Sequence, residues 1–85
     1  MNTTNNTLNF SDFHIGKLIK AEVVRQGRSS AWLAKNVHCS VENIYKIYHQ
    51  QWIMMPLLMK ISFALNFDFF KLCSDYFDAH RENVL

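Results

Sequence analysis

Residues 40–50 of the chain read SVENIYKIYHQ, and winding them at about 100° per residue, as in a helix, sorts the side chains by type. Glu42, Lys46 and His49 fall within one narrow arc, Tyr45 flanks it, and Ile44, Ile47 and Tyr48 lie opposite. Lys46 can only donate hydrogen bonds, Glu42 can only accept them, Asn43 can do both if it turns toward the same side, and Val41 offers an apolar contact. Those are the capacities that meet base edges in a duplex groove: lysine with guanine O6 and N7, asparagine with adenine, glutamate with cytosine N4, an aliphatic group with the thymine methyl. A plainer reading makes Glu42 and Lys46 an i, i+4 surface pair, which contributes only about 0.2–0.5 kcal/mol in an isolated helix. Glu42 also repels phosphate, so in a groove it would serve specificity rather than affinity.

A helix with this division needs something to hold it, and the residues before it supply a candidate. Ser29 or Ser30 can cap a short helix whose inward face is Leu33, Ala34 and Val37, with Ala34 small enough for a close helix crossing. Trp32 and Lys35 point elsewhere. Asn36, Val37, His38 and Cys39 make the corner, and Ser40 caps the next helix, expected over residues 40–50. Two short helices joined by a tight corner are the pattern of a helix-turn-helix, whose second helix enters the major groove. Arg28, Ser30, Lys35 and Tyr45 flank that helix and are the candidates for phosphate contact, together with backbone N–H groups at the start of the first of the pair. As solvated side chains they would read the same way.

The remaining elements are shorter arguments. Residues 1–11 are rich in Asn and Thr with few anchors, and are expected to form a disordered arm. Ser11 or Asp12 can cap a first helix in which Ile15, Ile19 and Val23 recur at helical spacing, Leu18 widens the stripe, and Gly27 suits the left-handed ending. Residues 51–55 connect to a fourth helix with Pro56 in its first turn and Leu57, Leu58, Ile61 and Leu65 facing the core. Asn66 suits a left-handed turn, Phe67 tucks under it, and Asp68 caps a short fifth helix over residues 69–75, with Phe69 and Leu72 inward. Residues 76–85 then form a tail and candidate interface. The expectation is an all-α domain of five short helices over residues 12–75.

Composition narrows the function classes. Eighty-five residues make one domain that buries only about 60% of its unfolded surface, too little for a deep catalytic cavity. Formal net charge is only +2, but it is unevenly spread. Residues 17–60 carry seven basic side chains against Glu22 and Glu42, a balance of +5, whereas the chain from Asn66 onward is at −2. The basic part contains the two-helix unit, which suits a polyanion. The residues His14, His38, Cys39, His49, Cys73 and His80 show neither CxxC nor HxxxH spacing, so no metal site is expected, and Cys39 reads as a small buried hydrophobe. No phosphate-binding glycine loop, nucleophilic triad or paired carboxylates are visible, so neither an enzyme nor a cofactor is expected. Two cysteines make no disulfide framework, the start has no secretion signal, and the longest apolar run, Trp52 to Met59, falls far short of the roughly 20 residues that span a bilayer. A cytoplasmic protein is therefore expected. Trp32, Tyr45, Tyr48 and Trp52 could stack on single strands, but helical spacing favours packing. A surplus of large apolar side chains at Trp52, Met54, Met55, Tyr76 and Phe77 suggests an exposed patch, hence a homodimer or a protein partner near the C-terminal end.

Over residues 15–72 the chain resembles the Cro and lambda-repressor-like helix-turn-helix domains, the Xre family. The likeness is carried by IGKLI at Ile15 to Ile19, by Gly27 and Ser29, by Leu33-Ala34, by the inward pair Ile44 and Ile47, and by KISFALNFDFFKL from Lys60. The resemblance implies a bacterial DNA-binding regulator acting as a dimer, with Val41, Glu42, Asn43 and Lys46 at the base-reading positions and His49 farther along. Half-sites would then lie about 34 Å apart. Four residues depart from the pattern. His38 stands where the family usually has glycine at the corner, Ser30 where it usually has glutamine, and Glu22 and Arg28 where it usually has apolar groups. Glu22 suggests a first helix rotated toward Val23 and Leu18. A different class remains open on the same fold, an antitoxin-like or assembly module that binds protein and has weak or no affinity for DNA.

Overall fold

The computed structural model describes residues 12–84, with side chains through Arg81. Five helices follow one another among the described residues: α1 Ile15–Arg25, α2 Ser30–Asn36, α3 Val41–Tyr48, α4 Met55–Leu65 and α5 Phe69–Val84. No strand occurs among the described residues, as the all-α expectation required. The expected arm, residues 1–11, lies outside them.

Local chemistry accounts for the ends. Of the two expected caps of α1, Ser11 lies outside the described residues and Asp12 is not the cap. His14 is, in extended conformation, its Nδ1 accepting from the Lys17 N–H at 3.1 Å. Asp12 lies two positions before the cap and instead accepts from the Tyr76 hydroxyl at 2.5 Å. At the other end Gly27 is left-handed, φ 69°, with Arg28 N–H on Val23 O and Gly27 N–H on Val24 O, the paired closure that satisfies the last carbonyls of a helix. Ser29 caps α2 and Ser40 caps α3, each accepting from the amide three residues on.

The corner between α2 and α3 places His38 at φ 61°, with Cys39 N–H returning to Ala34 O at 3.0 Å. It is the same closure as at Gly27, made by a residue that pays a steric cost there. Asn66 repeats it after α4 at φ 50°, with Phe67 N–H on Ser62 O. Asp68 Oδ1 accepts from Lys71 N–H, as expected of the α5 cap.

The fifth helix does not stop at Asp75 but runs on to Val84, through what was expected to be a tail. No Gly or Pro interrupts residues 69–84, and i, i+4 partners continue past Asp75: Tyr76 and His80 stack with ring centres 4.1 Å apart. Tyr76 also sits against Phe13, at 4.8 Å, so α5 is held to the residues leading into α1.

The core among the described residues is apolar and includes Ile15, Ile19 and Val23 of α1, Leu33 and Ala34 of α2, Ile44 and Ile47 of α3, Leu58, Ile61 and Leu65 of α4, and Phe69. Leu57 and Leu72, expected in the core, are half-buried at its edge. Val23 is buried and Leu18 partly so, yet α1 has not turned Glu22 outward: that residue is 5% exposed. It stays because its carboxylate is fully engaged, accepting from Arg25 Nε and Nη2 and from Gln26 Nε2 at 2.7 Å. Gln26 Nε2 also donates to Leu65 O at 2.7 Å, which ties the end of α1 to the end of α4.

Candidate nucleic-acid interface

On α3 the division expected from the sequence is present in space. Ile44, Ile47 and Tyr48 are buried, while Glu42, Asn43, Tyr45 and Lys46 are exposed, as is His49, which caps the helix just past its end. Val41 is half-buried and packs on the core, so only part of it faces outward. Among the described residues no ion pair joins Glu42 to Lys46, so the plain i, i+4 reading of the two is not realised. Asn43 and Lys46 line one side of a shallow cleft with Cys39, Ile47, Gln50 and Leu57. Tyr45 is on the other flank, its ring 6.3 Å from that of Tyr48.

What holds α3 is mostly backbone. Ile15 N–H donates to Gln51 O at 2.9 Å and Gly16 N–H to Gln50 O at 3.0 Å. The first amides of α1, which have no partner within their own helix, thereby meet carbonyls just beyond the end of α3. The approach needs glycine: a Cβ at Gly16 would overlap the carbonyl oxygens of Ile47 and Tyr48 and lie 2.7 Å from that of Gln50. The start of α3 is fixed by the Ser40 cap, and its end by Tyr48, whose hydroxyl shares a 2.9 Å hydrogen bond with Ser30 at the start of α2. Lys20 lies 6.0 Å from the Tyr48 ring centre.

The phosphate candidates do not all stand alike. Lys35 is exposed. Arg28 is exposed too, but its guanidinium stacks on Trp32 at 4.2 Å, which aims the charge and leaves its edge N–H groups open. Ser30 is half-buried and already bonded to Tyr48. If Tyr48 donates, the Ser30 proton remains for another acceptor. Tyr45 projects from α3 at 52% exposure.

Sequence reasoning missed Phe13 and Gly16. Phe13 is buried, stacks on Trp52 at 5.4 Å, and its carbonyl accepts from Gln51 Nε2 at 3.0 Å. With His14 as the cap, Phe13 and Leu18 occupy the two positions of a hydrophobic staple and line one groove. Reading the cap two residues too early hid that pattern. Gly16 gave no composition signal except its place inside an apolar helical stripe, where glycine is unfavourable without a packing reason.

Elsewhere the titratable groups serve structure. The Tyr76 hydroxyl holds the Asp12 carboxyl below its usual range, and Asp12 raises the Tyr76 phenol in return. Burial pushes the Cys73 thiol up, away from reactivity. No group of three His, Cys, Asp or Glu side chains among the described residues is gathered to hold a metal ion, and no helix there is long and apolar enough to cross a membrane. Compared with protein-family models, with curated proteins and with solved structures, the chain has no match.

Proposed function

We propose that the chain binds double-stranded DNA sequence-specifically and acts as a small bacterial transcriptional regulator of the helix-turn-helix type. In this reading α3 enters the major groove and α2 lies across the backbone. The observation that carries it is the outward row of Glu42, Asn43 and Lys46 on a helix whose opposite face is buried, whose start is capped by Ser40 and whose end is tied to α1 and α2. A row fixed in this way can present donors and acceptors in one register, as base reading requires. Arg28 and Lys35 supply charge beside it for phosphates. Two copies would read half-sites one duplex turn apart.

A selection from random duplexes with the purified chain, repeated at two salt concentrations, tests the reading. A recovered motif is expected, with affinity falling as salt rises because phosphate contacts release counterions. No enriched motif at either salt would sink it.

A second reading has its own support. Met54, Met55, Met59 and Phe63 are all exposed, a surface more typical of protein contact than of a DNA reader. An assembly or antitoxin-like module would keep its partner when Asn43 and Lys46 are both changed to alanine. A DNA reader would lose its motif.

A further inference from the structure

Of the large apolar side chains exposed on the described surface, Trp52, Met54, Met55, Met59 and Phe63 fall within twelve residues of sequence. Three of them, Met55, Met59 and Phe63, recur every four residues and form one outward stripe on α4, at 68%, 46% and 79% exposure. Phe63 therefore stands out as a knob. Phe63 is also one wall of a groove of about 310 Å³, completed by Met59, Ser62, Asn66, Phe67, Asp68 and Phe70. On α5, Phe77 is also exposed and follows Phe70 by seven residues, so it extends the same apolar face.

We propose that a second copy of this chain covers this face, with Phe63 of each copy seated in the groove of the other. A knob next to a hole on a single patch is self-complementary. A two-fold axis passing between them carries each knob into the opposite hole, the isologous arrangement of most dimers. Charge follows the same pairing across the patch. Winding α4 at about 100° per residue puts Lys60 on the flank of Phe63 away from Ser62 and Asn66, and Asp68 is among the residues that line the groove. A basic group thus flanks the knob and an acidic one lines the groove, so the axis that exchanges knob and groove carries Lys60 of each copy toward Asp68 of the other. Thioether side chains on the stripe adapt their shape at such a contact.

This surface differs from the one expected from sequence, since Tyr76 is half-buried and bonded to Asp12 and so belongs to the fold. The pairing supplies the two copies of the DNA-binding reading without depending on it, because it is measured with no DNA present. Sedimentation equilibrium across a concentration series is expected to show a dimer for the wild-type chain. Phe63→Asp is expected to be a monomer with unchanged helical circular dichroism and the thermal midpoint of the wild-type chain diluted to monomer, because the side chain it replaces is in solvent in the single copy. Lys60→Glu opposes Asp68 with like charge and should raise the dimer dissociation constant by at least about tenfold. Adding Asp68→Asn, which keeps the α5 cap, should restore most of that loss. A wild-type chain that stays monomeric throughout overturns the proposal and leaves the face to a partner of other sequence. A dimer that survives Phe63→Asp, or that ignores Lys60→Glu, overturns it equally. A dimer that selects no duplex motif would overturn the DNA reading alone.

Discussion

Helices α3 and α4 bury one face each in the same core, and their outward faces are opposites. On α3 the exposed row is Glu42, Asn43, Lys46 and then His49; on α4 it is Met55, Met59 and Phe63. Their fixing differs as well. Ser40 caps α3, and backbone bonds from Ile15 and Gly16 close its far end, whereas α4 starts from Met54 with no side-chain cap and relies on Pro56. The contrast separates two ways of meeting a partner. Polar groups gain specificity only when their positions are fixed, because a misplaced donor leaves its partner unpaired. Apolar groups gain by leaving water, a non-directional effect that tolerates looser placement. One chain thus carries a rigid polar face and an adaptable apolar one.

The largest test of this contrast is at Gly16. Gly16→Ala forces a Cβ into the carbonyls of Ile47, Tyr48 and Gln50, and backbone cannot give way as a side chain tip can. The expected cost is about 3 kcal/mol or more, a fall in thermal midpoint on the order of 10–20 °C for a domain this small. A midpoint within two or three degrees of wild type would show that α3 is held otherwise. The matching change on the apolar face, Phe63→Ala, is expected to stay within roughly 0.5 kcal/mol in the monomer.

Next in size is binding. Asn43→Ala and Lys46→Ala are each expected to cost about 1–3 kcal/mol at particular base pairs while leaving the thermal midpoint unchanged. Fluorescence anisotropy with the selected duplex and with single-base variants reads this directly. A uniform loss over all duplexes would mean that the two residues touch phosphate, and that the rigid face positions the chain on DNA without reading it.

Much of this was legible before the structure because it rests on local chemistry. The Ser40 and Asp68 caps, a cap at Ser29 or Ser30, the left-handed Gly27 and Asn66, and the inward Ile44 and Ile47 each follow from one residue type at one spacing. Three features were not legible, and two of them, Gly16 and the far half of α5, rest on contacts distant in sequence. Gly16 is explained only by the carbonyls of Ile47 to Gln50, some thirty positions away. Glu22 looked like a reason to rotate α1 because Arg25 and Gln26 could not be seen closing over it, with Gln26 braced on Leu65. The far half of α5 reads as a weak amphipathic tail until Tyr76 is seen bonded to Asp12 and packed on Phe13. The row on α3 was legible as an exposed polar face, because it follows from the helical spacing of residues 41–49 alone.

The two non-glycine corners offer a smaller and more discriminating test. His38 ends α2 at φ 61° and Asn66 ends α4 at φ 50°, both with the same backbone closure. An ordinary side chain costs about 1–2 kcal/mol in that region, while asparagine visits it routinely, and glycine gives back roughly 0.5–1 kcal/mol in unfolded-state entropy. His38→Gly should therefore raise stability by about 0.5–1 kcal/mol, and Asn66→Gly should leave it nearly unchanged. Equal responses at the two sites would show that strain at His38 is relieved by contacts of its side chain.

The smallest expected effect is a pH dependence at Glu22. The Arg25 hydrogen bonds, and then that from Gln26, hold its carboxyl below the ordinary value of 4.5 even though burial pushes it up. The unfolded chain thus binds this proton more readily than the folded one. The group contributes stability above pH 4.5 that is lost as pH falls through the depressed folded value. The Arg25 side chain is 68% exposed, so water and salt screen the pair and the contribution is modest. Urea denaturation of wild type and Glu22→Gln should show the wild type more stable at neutral pH and the two converging in acid. Because Gln26 links this carboxylate to Leu65 O, hydrogen exchange in the variant should quicken at the end of α4 and not along α3. Faster exchange in both helices would mean that α1 moves as a unit, and that the fixed face and the adaptable face share one support.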